Sequence, residues 1–281
     1  MHAKLPTPPA STLPAALPAG GVPAVTRALT LLDRLAQQRA PMSLARLASD
    51  LALPKSSVHG LCNTLVSFGY LRRQSDGAFL IGPRVMTLAD AFVASTSVTH
   101  EFDALWKDSG SSPDETMILS VLTGTDVVYV GARSGLRPLA LSFRVGMRLP
   151  AHLSATGQAQ LAFLPPQEVA QLFAAQAANG SVLPQMTARG PATRAELTRV
   201  LLQARQRGYS VDDEGICEGV VGIAAPVFDS SGRPVAGIGV CLHKPTLDAA
   251  REARQRAVVL AAARTMTERL GGSFPVELGS Q

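Results

Sequence analysis

Cys241, His243 and Asp212 are the side chains that could act as nucleophile, base and orienting carboxylate in covalent catalysis. Cys241 and His243 stand two apart on an expected strand, with no recognisable nucleophile motif around them. A free cysteine is most often a small buried hydrophobe, so no enzyme is expected. Cys62, Cys217 and Cys241 form no CxxC pair, and the five histidines are scattered, which leaves no zinc-site spacing. Three reduced thiols, no metal and no disulfide are the expectation. No glycine-rich loop joins a strand to a helix, so no nucleotide or other cofactor is expected.

A second set of residues suits a polyanion. Pro54 fits the first turn of a helix whose inward side is Val58, Leu61, Cys62, Leu65 and Val66. Its outward side is Lys55, Ser56, Ser57, His59, Gly60, Asn63 and Thr64, a short polar face of the kind that enters a major groove. Arg46 precedes it, and Arg72 and Arg73 follow on a hairpin turned at Ser75-Asp76-Gly77. The chain carries a formal net charge of +5, and residues 24–90 hold eight basic and four acidic side chains. Residues 91–281 carry seventeen of each sign, so the excess lies almost wholly in the N-terminal quarter. Helix-turn-helix pairs also occur in protein–protein modules with a merely solvated face. The proline-started polar helix, the basic hairpin and the localised charge together favour double-stranded DNA.

The elements that must position these residues follow from periodicity. Hydrophobic residues make up 46% and charged residues 17%, which excludes bulk disorder and a rod-like coiled coil. No apolar run reaches the roughly 18 residues of a membrane span, and the proline-studded start has no signal-peptide core, so a cytoplasmic protein is expected. Residues 1–21 read as a disordered tail. Residues 22–82 read as a winged helix-turn-helix, three helices and a two-stranded wing. In its first helix Val25, Leu29, Leu32 and Leu35 are the expected buried stripe, and Ser43 caps the second. Residues 83–104 read as a linker helix. Residues 105–272 read as an α+β domain with an antiparallel sheet, followed by a C-terminal tail at 273–281. Its expected hairpin is 116–122 with 127–131, a further strand is 137–143, and helices cover 155–164 and 168–178. Thr193 and Glu196 form a capping box, strands at 220–228 and 235–242 flank the turn 229–234, and Thr246 caps a last helix to about Leu270.

These residues carry a resemblance. Leu53-Pro54-Lys55-Ser56-Ser57-Val58-His59 with Leu65 and Gly69-Tyr70-Leu71 resembles the recognition-helix signature of the IclR family of bacterial transcriptional regulators. Val127 to Gly131, Val145 to Pro150, Gly157, Arg207 to Glu214, Gly219 and Ala224 to Asp229 are similar to that family's effector-binding domain in order and spacing. The resemblance spans about residues 22–272. It implies a winged helix-turn-helix followed by a GAF-like ligand domain, binding of operators as dimers or dimers of dimers, and a small-metabolite effector, often a carboxylate or aromatic compound. Whether such a regulator represses or activates stays open.

Departures from the family pattern are Gly60 in place of arginine, Ala52 in place of glycine, Gln158 in place of lysine and Gly215 in place of an acidic residue. By resemblance the effector-contacting positions are Ala155, Thr156, Asp212, Gly222, Gly239 and Cys241. Gly239 and Cys241 alternate on a strand and so share a face, and this wall is expected to be roomier and less polar than the family's serine pair; the alternative is that Gly239 allows tight packing and Cys241 is core. The expectation is a ligand-responsive DNA-binding regulator. The alternative is a ligand-sensing adaptor or oligomerisation protein with weakened DNA recognition, motivated by Gly60.

Overall fold

Serine 43 begins the first element that depends on a single side chain: its hydroxyl accepts the Arg46 amide and starts helix α2 (Leu44–Asp50). Before it lies α1 (Pro23–Gln38), and after it α3 (Lys55–Ser67), strands β1 (Leu71–Arg73) and β2 (Phe79–Ile81), and α4 (Arg84–Ser95). The computed structural model describes residues 22–95, 97–109, 113–135, 144–174 and 182–275, which divide into two units between residues 95 and 97.

In the N-terminal unit β1 and β2 pair antiparallel from Leu71–Ile81 to Arg73–Phe79, and Met42 bridges Phe79 to add a third short edge. The wing turn uses Gly77 at φ +84°, and Asp76 accepts the Ala78 amide at 2.9 Å. Leu31, Leu35, Leu47, Val58, Cys62, Leu71 and Phe79 form the core. The stripe expected on α1 is displaced: Val25 and Leu29 are exposed, while Leu31 and Leu35 are buried, with Leu32 packed beside them. Both stripes have helical spacing, and only the position of the neighbouring helices selects between them.

The stretch expected as one linker helix carries two helices, α4 in the first unit and α5 (Ser97–Ser109) in the second. The second unit is a six-stranded antiparallel sheet in the order β5-β4-β3-β8-β7-β6. Its strands are β3 (Met117–Thr123), β4 (Asp126–Arg133), β5 (Arg148–Pro150), β6 (Ser210–Asp213), β7 (Val220–Phe228) and β8 (Pro234–His243). One face carries α6 (Ala155–Leu161), α7 (Pro166–Leu172) and α8 (Arg194–Arg207) over Ile118, Val127, Tyr129, Val220 and Cys241. The other face carries α5 and α9 (Ala249–Arg269), with Phe102, Val259 and Met266 packed on Val221, Ile223, Ile238 and Val240. Alternation along each strand separates the two layers.

Thr193 accepts the Glu196 amide while the Glu196 carboxylate accepts the Thr193 amide, so the capping box stands as the sequence predicts. The last helix begins later than expected: Asp248, not Thr246, accepts the Arg251 amide at 2.7 Å, and Thr246 lies in a 3-10 turn. Helix α6 is shorter than the expected 155–164, and α7 starts before 168 and ends at Leu172, while 175–178 of the expected second helix lie outside the described residues. The strand expected at 137–143 lies outside the described residues, as do 175–181 and the tail 1–21. Among the described residues no helix is long and apolar enough to cross a membrane.

Candidate DNA-binding face and effector pocket

The turn that presents α3 is built without glycine. Ala52 takes φ +51°, its amide reaches Ser49 O and the next amide, of Leu53, reaches Ala48 O. Lys55, Ser56, Ser57, His59 and Asn63 all lie exposed on α3, opposite buried Val58 and Cys62. Asn63 Nδ2 is 3.4 Å from His59 Nδ1, one turn along the same face. A Cβ added at Gly60 would meet nothing within 4 Å, so open space lies over the middle of the helix. Arg72 and Arg73 are exposed on the wing, and the Arg73 guanidinium lies 5.6 Å from the Phe79 ring centroid.

Arg46 is placed differently. Its Nε contacts Asp50 at 3.0 Å, and Arg34 contacts the other Asp50 oxygen at 2.7 Å. The hydrogen bond from Arg34, then that from Arg46, holds the Asp50 carboxyl below the usual carboxylate range. Arg34 therefore ties α1 to α2 through Asp50, and Arg46 pairs with the same carboxylate within α2 rather than standing as an unpaired cation.

The pocket of the second unit is organised by register. Asp212 on β6 faces Gly222 on β7, and Gly222 faces Cys241 on β8, so the three form a row across adjacent strands. Directly opposed residues point to the same face, and here that face is the one under the start of α6. A Cβ at Gly222 would lie 3.1 Å from Ala155 Cβ and 3.5 Å from Asp212 Cβ, so glycine keeps the space beside the carboxyl open. Ala155, Thr156, Tyr129, Ile216 and Cys217 complete the lining around this row.

The polar groups of the pocket are all buried. Asp212 Oδ1 accepts the Gly215 amide at 2.6 Å. Burial pushes the Asp212 carboxyl up to about 7, against the backbone hydrogen bonds of Gly215 and Ile216 that favour its charge. Burial, with the nearby Asp212 charge, pushes the Cys241 thiol well above its ordinary value, the reverse of an activated nucleophile. His243, its imagined base, is exposed at the strand end. Burial likewise raises the Tyr129 phenol. The Thr156 Oγ1 atom is buried with no hydrogen-bond partner. The loop carrying Ile216 and Cys217 is pinned from outside: Glu214, at φ +67°, accepts the Gly219 amide at 2.8 Å and Lys244 Nζ at 2.7 Å.

Of the six expected effector positions, five line this pocket: Ala155, Thr156, Asp212, Gly222 and Cys241. Gly239 does not. A Cβ there would come within 2.7 Å of Ile223 O and 2.8 Å of Ala224 Cβ, so the glycine serves close packing of β8 on β7. The roomy wall is accordingly absent, and the cavity measures about 20 Å3, space for about one water. Sequence reasoning missed Tyr129 and Cys217. Tyr129 is legible as an aromatic inside the Val127–Gly131 strand, whereas Cys217 enters by a loop that folds back, which leaves no periodic signal.

Residues 24–75 match the IclR helix-turn-helix domain, and residues 91–268 match the C-terminal domain of the bacterial transcriptional regulator IclR. The chain belongs to the IclR family of bacterial transcriptional regulators. Its two units are the DNA-binding and effector-binding halves of a ligand-responsive IclR-type regulator. It is 31% identical over 247 residues to the HTH-type transcriptional regulator BhcR of Paracoccus denitrificans, covering 86% of each chain. The crystal structure of the Agobacterium tumefaciens repressor BlcR is 33% identical, with a TM-score of 0.55 over 89% of this chain and 97% of that one. An IclR homologue from Microbacterium hydrocarbonoxydans, crystallised with 4-hydroxybenzoate, shares the fold at 21% identity and a TM-score of 0.70, covering 88% and 98% of the two chains.

Proposed function

We propose that this IclR-family regulator reads a pseudo-palindromic operator with α3 and answers to a small organic acid, aromatic or aliphatic, held in the Asp212 pocket, which widens from its one-water volume to admit it. Ser57, His59 and Asn63 lie along the exposed face of α3 and take the base edges, while Lys55, Ser56, Arg72 and Arg73 hold phosphate. One recognition helix spans few base pairs, so the working species is a dimer or dimer of dimers, acting in the cytoplasm. Its role is regulatory, with no catalytic step.

The observation that carries the effector reading is the buried row Asp212–Gly222–Cys241, which lines one pocket with Thr156, a residue whose buried hydroxyl has no partner, inside a family-matched domain. A buried polar atom without a partner costs about 1–3 kcal/mol, and a bound ligand oxygen removes that cost. The test is calorimetric titration of the protein with a panel of aromatic and aliphatic acids, repeated on Asp212→Leu. Binding in the wild type that the variant loses supports the assignment; equal binding in both places the site elsewhere.

A second reading, a ligand-sensing adaptor, is favoured by Gly60, which removes a base-reading arginine and weakens the helix. DNA binding at graded salt separates the two: an adaptor gives the weak, uniform binding of a nonspecific cation, a regulator retains sequence preference.

A further inference from the structure

The lining of the Asp212 pocket contains, among its described residues, no lysine, arginine or histidine. Its one group that ionises near neutral pH is Asp212 itself. The neighbouring cation Lys244 is paired with Asp213 at 2.6 Å and Glu214 at 2.7 Å, outside the lining, and Arg189 approaches Glu214 at 3.9 Å. Asp212 Oδ1 is engaged by the Gly215 amide, while Oδ2 lies on the Gly222 side, 3.9 Å from where a Cβ would stand. Thr156, 2% exposed, brings a hydroxyl with no partner. Tyr129 from β4, Cys241 from β8 and Cys217 from the loop face Asp212 as neutral groups, since burial raises all three. Asp213 and Glu214 add negative potential from the adjoining strand and loop.

A ligand carboxylate entering here meets an anion and no compensating cation. Two carboxylates in contact in a dry site do not both stay ionised; they share a proton. A carboxylic acid group has one donor and one acceptor, which matches an Asp212 oxygen as acceptor and the Thr156 hydroxyl as donor.

We infer that an acid effector occupies this pocket together with one proton, held between the ligand carboxyl group and Asp212, with Thr156 donating to the second ligand oxygen. The inference rests on the proposed reading of this pocket as the effector site. A primary amide, which also offers one donor edge and one acceptor, fits the same pair without any proton. Below about pH 7 the empty pocket already holds the proton on Asp212, so acid binding there is insensitive to pH. Above it the proton is drawn from solvent, and affinity falls tenfold per pH unit.

The test is calorimetric titration of the full chain with matched probes, benzoate against benzamide and 4-hydroxybenzoate against 4-hydroxybenzamide. Each is measured at pH 6 and pH 8.5, in two buffers of different ionisation enthalpy. Acid binding is expected to be about 30-fold weaker at pH 8.5. It takes up close to one proton at the higher pH and close to none at the lower, while the amides bind equally at both. Asp212→Asn removes the pH dependence, and Thr156→Val weakens acid and amide alike without altering the profile. Acid binding of equal strength at both pH values, without proton uptake, overturns the inference by showing that a cation reaches the ligand. If no acid and no amide binds the wild type at either pH, the reading of the pocket as the effector site fails instead.

Discussion

The Asp212 carboxylate accepts the Gly215 amide at 2.6 Å, so the residue that faces the pocket also fastens the loop that closes it. Its folded carboxyl, pushed up to about 7, lies above its unfolded value of 3.8. Stability is therefore fullest below about pH 4 and is lost as pH rises toward 7, because the unfolded chain gives up this proton first. Three units correspond to a loss on the order of 4 kcal/mol, an upper bound for this one group. Asp212→Asn keeps an oxygen for the Gly215 amide and has nothing to ionise. In urea unfolding, the variant should gain on the wild type steadily from pH 4 to about pH 7 and then hold level; a constant difference between the two across that range would show that Asp212 does not titrate there.

Ala52 occupies a left-handed backbone position at φ +51°, where a Cβ costs roughly 1–2 kcal/mol. Ala52→Gly relieves that strain but adds unfolded-state entropy, for a net gain of up to about 1 kcal/mol. A thermal melt of the two proteins checks the sign, and DNA affinity should rise no more than stability does.

Gly60 lies in the middle of α3 with open space around it, so a longer side chain fits without moving anything. Gly60→Arg should stabilise the helix by under about 1 kcal/mol and add roughly 1–3 kcal/mol of discrimination at one guanine, where the operator has one. Selection of preferred sites by the variant and by wild type gives the comparison. An unchanged preference would mean that this part of α3 does not face base edges.

Charge removal should sort the basic residues. Lys55→Ala and Arg73→Ala each lower the salt slope of DNA binding by about 1 per protomer. Arg46→Ala should leave the slope nearly unchanged, since Arg46 is occupied by Asp50 at 3.0 Å. Equal losses from all three would place Arg46 on phosphate despite that pair.

Local signals were legible and long-range ones were not. The caps at Ser43 and Thr193 are readable because a hydroxyl and its amide partner lie three residues apart. The Asp212 row is readable in part, because motif positions on separate strands carry the family's order. Gly239 misled, since a strand glycine marks either open space or close approach, and the neighbour Ala224 that decides between them is brought in by strand pairing. The first half of the α1 stripe failed for a similar reason: Val25 and Leu29 repeat as regularly as Leu31 and Leu35 do, while Leu32 and Leu35 pack on the core as expected. The start of α9 was misplaced: Thr246 has a capping side chain but lies in the 3-10 turn Lys244–Thr246, and Asp248 two residues on caps the helix.

The central claim, that α3 reads DNA for a multimeric regulator, is tested most directly by selecting binding sites for the full-length protein from random duplex DNA. The account predicts a pseudo-palindrome with half-sites about one helical turn apart or a multiple of it, whose consensus shifts in Ser57→Ala and His59→Ala. A non-repeated site bound by a single copy, or a consensus that ignores both substitutions, would contradict it.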